Sequence, residues 1–347
     1  MQTVNMPIPS ILEIGDNLTE RLPSILKHAG FNNVIVYGDS YSTSLLNRSL
    51  SKNGEIHAEL RTMAPGSSIY DLTNEAFNTG NPDAIAAAGG GTILDYGKYI
   101  SHLIKKPFIS VPTSPANDGF ASATCSLLVN GKKTTVPAQV PYGVIADLTE
   151  IKKAPEPFIL AGIGDLMSNI TALQDCEFEM LHKNTAIHPF ALMLSKKAVN
   201  SFVRTPMTDT ASPVLIKELT SSLTMSGIST VISGSTAPVS GSEHLISHAL
   251  DKISPQPWMH GIQTGLGAYI MAHVQDHRGE RMKKVFTRTG FFDHVKKQRI
   301  PKLTLIEAIH LAPEMKPERR TFLHENHFRL KAEAFVNQDP LLQTILV

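Results

Sequence analysis

The chain has 347 residues and a formal charge of +1, so it offers no basic field that would attract nucleic acid or an anionic membrane, and the expected partner is a small molecule. With 42% hydrophobic and 18% charged residues it can bury a full core, and its length points to two domains. Cys125 and Cys176 lack disulfide or zinc-ribbon spacing, the start MQTVNMPIPSILEIGDN lacks a signal-peptide pattern, and no stretch reaches the roughly 20 apolar residues of a membrane span; a soluble cytoplasmic protein is expected.

From the N-terminus, short apolar runs predict strands at 33–37, 55–60, 84–88, 107–111 and 143–146. Helical patterns lie between several of them, as at 40–53 and 93–104, so a parallel sheet with crossover helices is the economical reading. Runs at 125–129 and 134–137 flank Asn130-Gly131, a strong turn dipeptide, and predict a hairpin inserted on the sheet domain. APEPF at 154–158 then supplies two prolines and a helix start. Beyond it, helical periodicity covers 157–182, 189–204, 212–232, 241–251, 258–277 and 304–312. The expected fold is therefore an α/β domain over residues 1–155 followed by a helical domain over 156–347, with a ligand site in the cleft between them.

The carboxyl ends of the predicted strands carry the first candidate residues. Gly89-Gly90-Gly91 follows the strand DAIAAA and opens a helix, where close backbone approach and unpaired N–H groups suit a pyrophosphate; a plain tight turn is the other reading. Asp39, after the strand at 33–37, suits a ribose 2′-hydroxyl and would favour NAD over NADP, or else is a helix N-cap. VPTSPANDGFAS at 111–122 offers hydroxyls for a nicotinamide and Asp118 for a substrate hydroxyl, or is a solvated turn.

Metal-ligand chemistry is concentrated further on. Asp165 and Asn169 are one helical turn apart, as are His244 and His248, and His260 follows in PWMHG. One Asp with two His suits a borderline divalent ion, zinc first, with iron, nickel or manganese fitting as well. Any one of these histidines alone would more often be structural, and the weight comes from three segments agreeing in order and character.

In that order, GGGTILD, PTSPANDGFAS, GIGDLMSN, SGSEHLISHALD and HGIQTGLG, the chain resembles the iron-containing alcohol dehydrogenase superfamily, most closely its glycerol-1-phosphate dehydrogenase branch. The resemblance spans roughly residues 30–275. It implies a Rossmann-like N-terminal domain, an all-helical C-terminal domain in a dehydroquinate synthase-like architecture, and NAD(P)-dependent reversible reduction of dihydroxyacetone phosphate to sn-glycerol 1-phosphate. Carried over to this chain, it implies that Asp165, His244 and His260 bind the metal, that Asp118 and His248 contact the substrate, and that Gly89, Gly90, Gly91, Thr92, Ile93, Thr113, Ser114, Pro115, Ala116 and Ser122 contact the dinucleotide. Asn169 stands where iron-dependent relatives carry a further His, in keeping with a three-ligand zinc site. Ile262 stands where many branch members carry a polar residue, commonly Glu.

On this reading the metal stabilises charge on the ketone oxygen, and His248, taken as titrating near neutrality, relays the proton, unless it only orients His244 or the substrate. Lys132 and Lys133 in the hairpin are the nearest basic pair for a phosphorylated triose, unless they are a solvated turn. A homo-oligomer is expected. Two other activities share the pattern: a glycerol or polyol dehydrogenase with no phosphate requirement, and a lyase resembling 3-dehydroquinate synthase, whose glutamate in place of Asp165 and richer set of cations this chain lacks.

Overall fold

The computed structural model describes residues 8–183 and 186–347. The chain divides into two compact units, Met1–Ala154 and Pro155–Val347. In the first unit the elements run β1 (Ile11–Gly15), α1 (Leu18–His28), β2 (Asn33–Gly38), α2 (Ser40–Asn53), β3 (His57–Thr62), α3 (Ile69–Asn78), β4 (Ala84–Gly89), α4 (Gly91–Leu103) and β5 (Phe108–Pro112). A short 3₁₀ turn at Asp118–Ala121 leads into β6 (Thr124–Val129), β7 (Lys132–Pro137), β8 (Gly143–Asp147) and α5 (Leu148–Ile151).

Six strands form one sheet in the order β1-β8-β5-β4-β2-β3, and every neighbouring pair is parallel. β4 lies inside the sheet and is buried along its whole length, which is why its sequence, AIAAAG, is apolar throughout instead of alternating. Its alanines let α4 approach closely: a Cβ on Gly97 would lie 2.5 Å from the Cβ of Ala87. The predicted hairpin is present as the antiparallel pair β6–β7. Asn130 and Gly131 both have positive φ, 50° and 76°, as a two-residue type I′ turn demands.

Two strands depart from the sequence expectation. β1 was not predicted, because this five-residue edge strand leaves Leu12 half exposed and carries too weak a pattern; main-chain pairing from Ile11↔Gly143 to Gly15↔Asp147 creates it. β3 begins at His57, two residues later than the apolar run suggests, since its register is set by β2 through Asn33↔His57.

The second unit is helical: α6 (Glu156–Lys183), α7 (Pro189–Arg204), α8 (Pro213–Ser233), α9 (Ser242–Ile253), α10 (His260–Val274), α11 (Gly279–Arg288), α12 (Phe291–Gln298), α13 (Lys302–Leu311), α14 (Asn326–Gln338) and α15 (Leu342–Ile345). α10 is buried on nearly all sides and packs along both α6 and α9. Glycines permit that density. A Cβ on Gly164 would run into the carbonyl oxygen of Gly261, and one on Gly261 into the carbonyl of Ala161, so α6 and α10 touch backbone to backbone. No helix among the described residues is long and apolar enough to cross a membrane.

Gly261→Ala separates two opposing effects. Helix propensity alone would stabilise by about 1 kcal/mol, whereas the forced separation of α6 from α10 should cost about 1–3 kcal/mol or more. We expect a lower urea or thermal midpoint for the second unit; a raised midpoint would show that the crossing is not tight.

Candidate metal centre and dinucleotide-binding edge

The glycine crossing sets the position of two functional side chains at once. Asp165 follows Gly164 on α6, and His260 precedes Gly261 as the first residue of α10. His244 enters from the first turn of α9. Asp165 Oδ1 lies 3.6 Å from His260 Nε2 and 3.9 Å from His244 Nε2, and the three ligand atoms all fall within 4.8 Å of one another. Ligands at zinc-like bond lengths around a tetrahedral ion sit about 3.4 Å apart, so a small contraction would close the set. Asp165 and His244 are buried and His260 is partly open to solvent.

The outer nitrogens of both rings are engaged. His244 Nδ1 is 2.9 Å from Glu243 Oε1, and Glu243 also accepts the Gly241 N–H at 2.6 Å and the Thr171 hydroxyl at 2.7 Å. Ser247 gives its hydroxyl hydrogen to Gln263 Oε1 at 2.7 Å and therefore faces His260 Nδ1, 3.2 Å away, as an acceptor. This network assigns the ring hydrogens to Nδ1 and leaves the Nε2 lone pairs for a cation. A second buried acid, Asp175 on α6, accepts the Ser242 N–H at 2.6 Å and hydroxyl at 3.0 Å and thereby holds the start of α9. Burial pushes both carboxyls above the usual range, and Asp175 is raised further by the Glu243 charge.

The remaining candidates of this unit fall into place around the trio. Asn169, fully buried, donates to Ser226 Oγ at 3.1 Å, a tie between α6 and α8. Ile262 is 1% exposed, an interior packing position. His248 sits one turn beyond His244, its ring centroid 6.5 Å from that of His244 and 6.2 Å from that of His260. The expectation of a near-neutral pKa for His248 is corrected here: burial, then the neighbouring His260 and Lys316, pushes it down to about 2. His244 is held at about 3, chiefly by burial.

In the first unit, the carboxyl ends of β2, β4 and β5 lie side by side, which brings the residues expected at a dinucleotide onto one sheet edge. Gly89 adopts φ 151°, and a Cβ there would press on Ile93 at 3.0 Å. Gly90 caps α4, with open space where its Cβ would be. The N–H groups of Gly91 and Thr92 precede the first intrahelical bonds, made by Ile93 and Leu94 to Gly90, and suit an anion. Thr113 donates its N–H to Gly89 O at 3.0 Å, and Ser114, Pro115 and Ala116 follow it.

Asp39 is the N-cap of α2, accepting the Ser42 N–H at 2.8 Å. Ser122, buried, lies 3.2 Å from Gly119 O within its own turn. Asp118 starts the 3₁₀ turn. That turn is anchored by Lys98, a fully buried ammonium that donates to Gly119 O at 2.7 Å and Thr124 O at 2.8 Å. Lys132 and Lys133 are exposed on β7, matching the solvated alternative.

Sequence reasoning missed Glu243, Ser247, Asp175 and Lys98 as supports. Glu243 and Ser247 were visible as neighbours of candidate ligands, but the Thr171 hydroxyl on α6 that meets Glu243 and the Gln263 and His260 side chains on α10 that meet Ser247 come from other helices.

Two outcomes follow from this geometry. Glu243→Gln should keep the helix and weaken divalent-ion affinity about 10–100-fold, read by metal titration; unchanged affinity would deny Glu243 its role on His244. In metal-free protein, His244 and His248 should stay neutral throughout pH 5–8 by imidazole ¹⁵N shifts. Both pKa values lie below the unfolded value, so the stability these rings contribute is complete above about pH 6.5 and is lost as pH falls toward 3.

Residues 13–155 match the family described as iron-containing alcohol dehydrogenase. Glycerol-1-phosphate dehydrogenase [NAD(P)+] of Thermococcus kodakarensis is 33% identical over 325 residues, covering 92% of each chain. The enzyme of the same description from Methanosarcina acetivorans is 32% identical over 330 residues, covering 92% of this chain and 91% of its own. Among solved structures, sulfoacetaldehyde reductase from Bifidobacterium kashiwanohense in complex with NAD+ superposes with a TM-score of 0.76 at 13% identity, over 96% of this chain and 99% of that one, a likeness of fold. With relatives matched over nearly their whole length, the chain belongs to the iron-containing alcohol dehydrogenase superfamily, in its glycerol-1-phosphate dehydrogenase branch.

Proposed function

We propose that the protein reversibly reduces dihydroxyacetone phosphate to sn-glycerol 1-phosphate with NADH or NADPH. The observation that carries this is the match over 92% of both chains to a curated glycerol-1-phosphate dehydrogenase [NAD(P)+], together with an Asp/His/His set whose Nε2 atoms converge on one carboxylate oxygen.

Asp165, His244 and His260 would hold the divalent ion, zinc by the character of the donor set. When bound, the ion supplies Lewis-acid stabilisation of the charge that develops on the ketone oxygen, and the dinucleotide supplies the hydride. The turn from Gly89 to Ile93 receives the pyrophosphate on the N–H groups at the start of α4, with Thr113–Ala116 beside it on the same sheet edge and Asp39 at the ribose. Asp118 accepts a hydrogen bond from a substrate hydroxyl and so orients the carbon skeleton.

His248 is neutral at physiological pH, which fits a relay that gains a proton at one ring nitrogen as it releases another from the second. A neutral ring also avoids placing a cation beside the metal. Glu243 and Ser247 keep the two ligand rings in one tautomer throughout.

The reading predicts oxidation of NADH or NADPH with dihydroxyacetone phosphate at a much higher kcat/KM than with unphosphorylated dihydroxyacetone, followed by absorbance. Equal rates would favour a polyol dehydrogenase, and turnover without net cofactor oxidation would favour a lyase. Asp165→Ala or His260→Ala should remove the bound metal and lower turnover by more than about 100-fold; wild-type metal content in either variant would overturn the ligand assignment.

A further inference from the structure

Beyond the trio, the second unit carries a cationic turn that the family match leaves without a role. After α13, a 3₁₀ segment, Ala312–Met315, packs against α9, the helix that bears His244 and His248. Lys316 comes next, and the turn closes through Arg319 N–H to Lys316 O at 3.0 Å.

The two cations are treated differently by their surroundings. Arg319 is tied on two sides: its Nε donates to Glu179 Oε2 on α6 at 2.8 Å, and its Nη1 donates at 3.1 Å to the carbonyl of Ser240, four residues ahead of His244, while its buried Nη2 has no partner among the described residues. Lys316 is half-buried, and its ammonium makes no hydrogen bond or ion pair with the described residues. Glu318, on the same turn, is exposed and outside ion-pair distance. Burial and the Arg319 charge both work against the Lys316 charge, while that charge is felt at His244 and at His248.

A half-withdrawn ammonium without a counter-ion is costly to keep. It follows directly on the segment that packs against α9, in a turn tied to Ser240 just ahead of His244, where an arriving anion would offer it a counter-charge. The exposed pair Lys132 and Lys133 shows no such withdrawal and no such neighbours.

We propose that Lys316 receives the phosphate of the substrate and thereby sets the preference for a phosphorylated triose, with Arg319 as the positioning residue that fixes the turn to α6 and to the lead-in of α9. This rests on the dihydroxyacetone phosphate reading given above. An ammonium–phosphate contact of this kind is a charge-assisted hydrogen bond, whose loss corresponds to about a 10- to 100-fold change.

The test compares the metal-loaded wild type with Lys316→Gln and Lys316→Arg on dihydroxyacetone phosphate and on dihydroxyacetone. The ratio of the two kcat/KM values should fall about 10- to 100-fold in Lys316→Gln, through KM for the phosphorylated substrate, and recover in part in Lys316→Arg. Inorganic phosphate should compete with dihydroxyacetone phosphate in the wild type and lose that competition in Lys316→Gln, while metal content and NADH affinity stay at wild-type values. A wild type that prefers the phosphorylated substrate together with a Lys316→Gln variant that keeps the full preference would overturn the role of Lys316 and leave the activity standing. Equal losses on both substrates would mark the residue as structural and overturn it too. A wild type without preference would instead remove the reading on which the proposal rests.

Discussion

The candidate metal centre depends on one steric fact, that α6 and α10 meet glycine to backbone at their crossing. Gly164 and Gly261 face each other's helices so closely that neither tolerates a Cβ. Asp165 and His260 are the immediate neighbours of those glycines, so the contact that packs the core also brings a carboxylate and an imidazole within 3.6 Å. Gly265 continues the crossing, where a Cβ would meet Phe291 at 2.5 Å. The site is thus a by-product of packing between two rigid helices, which is a more exact support than a loop would give.

Around that contact the chemistry is arranged by buried acids. Glu243 faces His244, the Gly241 N–H and the Thr171 hydroxyl, while Asp175 holds the first turn of α9. Two carboxylates withdrawn from water are expensive on their own. Here each is met by donors that also fix something functional: a ring orientation in one case, a helix start in the other. Arg319, bonded to Glu179 and Ser240, adds a positive charge in the same unit.

The legibility of all this in the sequence follows the range of the interactions. The grouping of Asp165, His244 and His260 was readable because each sits in a short segment whose residue types and order carry the signal, and the strand-turn-helix at Gly89 was readable because strand, glycines and helix are contiguous. The type I′ turn at Asn130-Gly131 is local in the same sense. What escaped is non-local. Thr171 lies 72 residues from the Glu243 it serves, β1 becomes a strand through pairing with β8, and the neutral state of His248 is an effect of burial that no spacing reveals. Asp39 caps α2 through Oδ1, a local bond that sequence reading named beside the ribose contact.

Asp175 has a further partner, the backbone N–H of Phe322, 147 residues along the chain. One carboxylate on α6 thus joins the start of the helix carrying His244 to the segment at Phe322. Contacts of such long sequence separation close late, after local helices have formed. Loss of the Phe322 donor would leave Asp175 one partner short and loosen the first turn of α9, on which His244 stands.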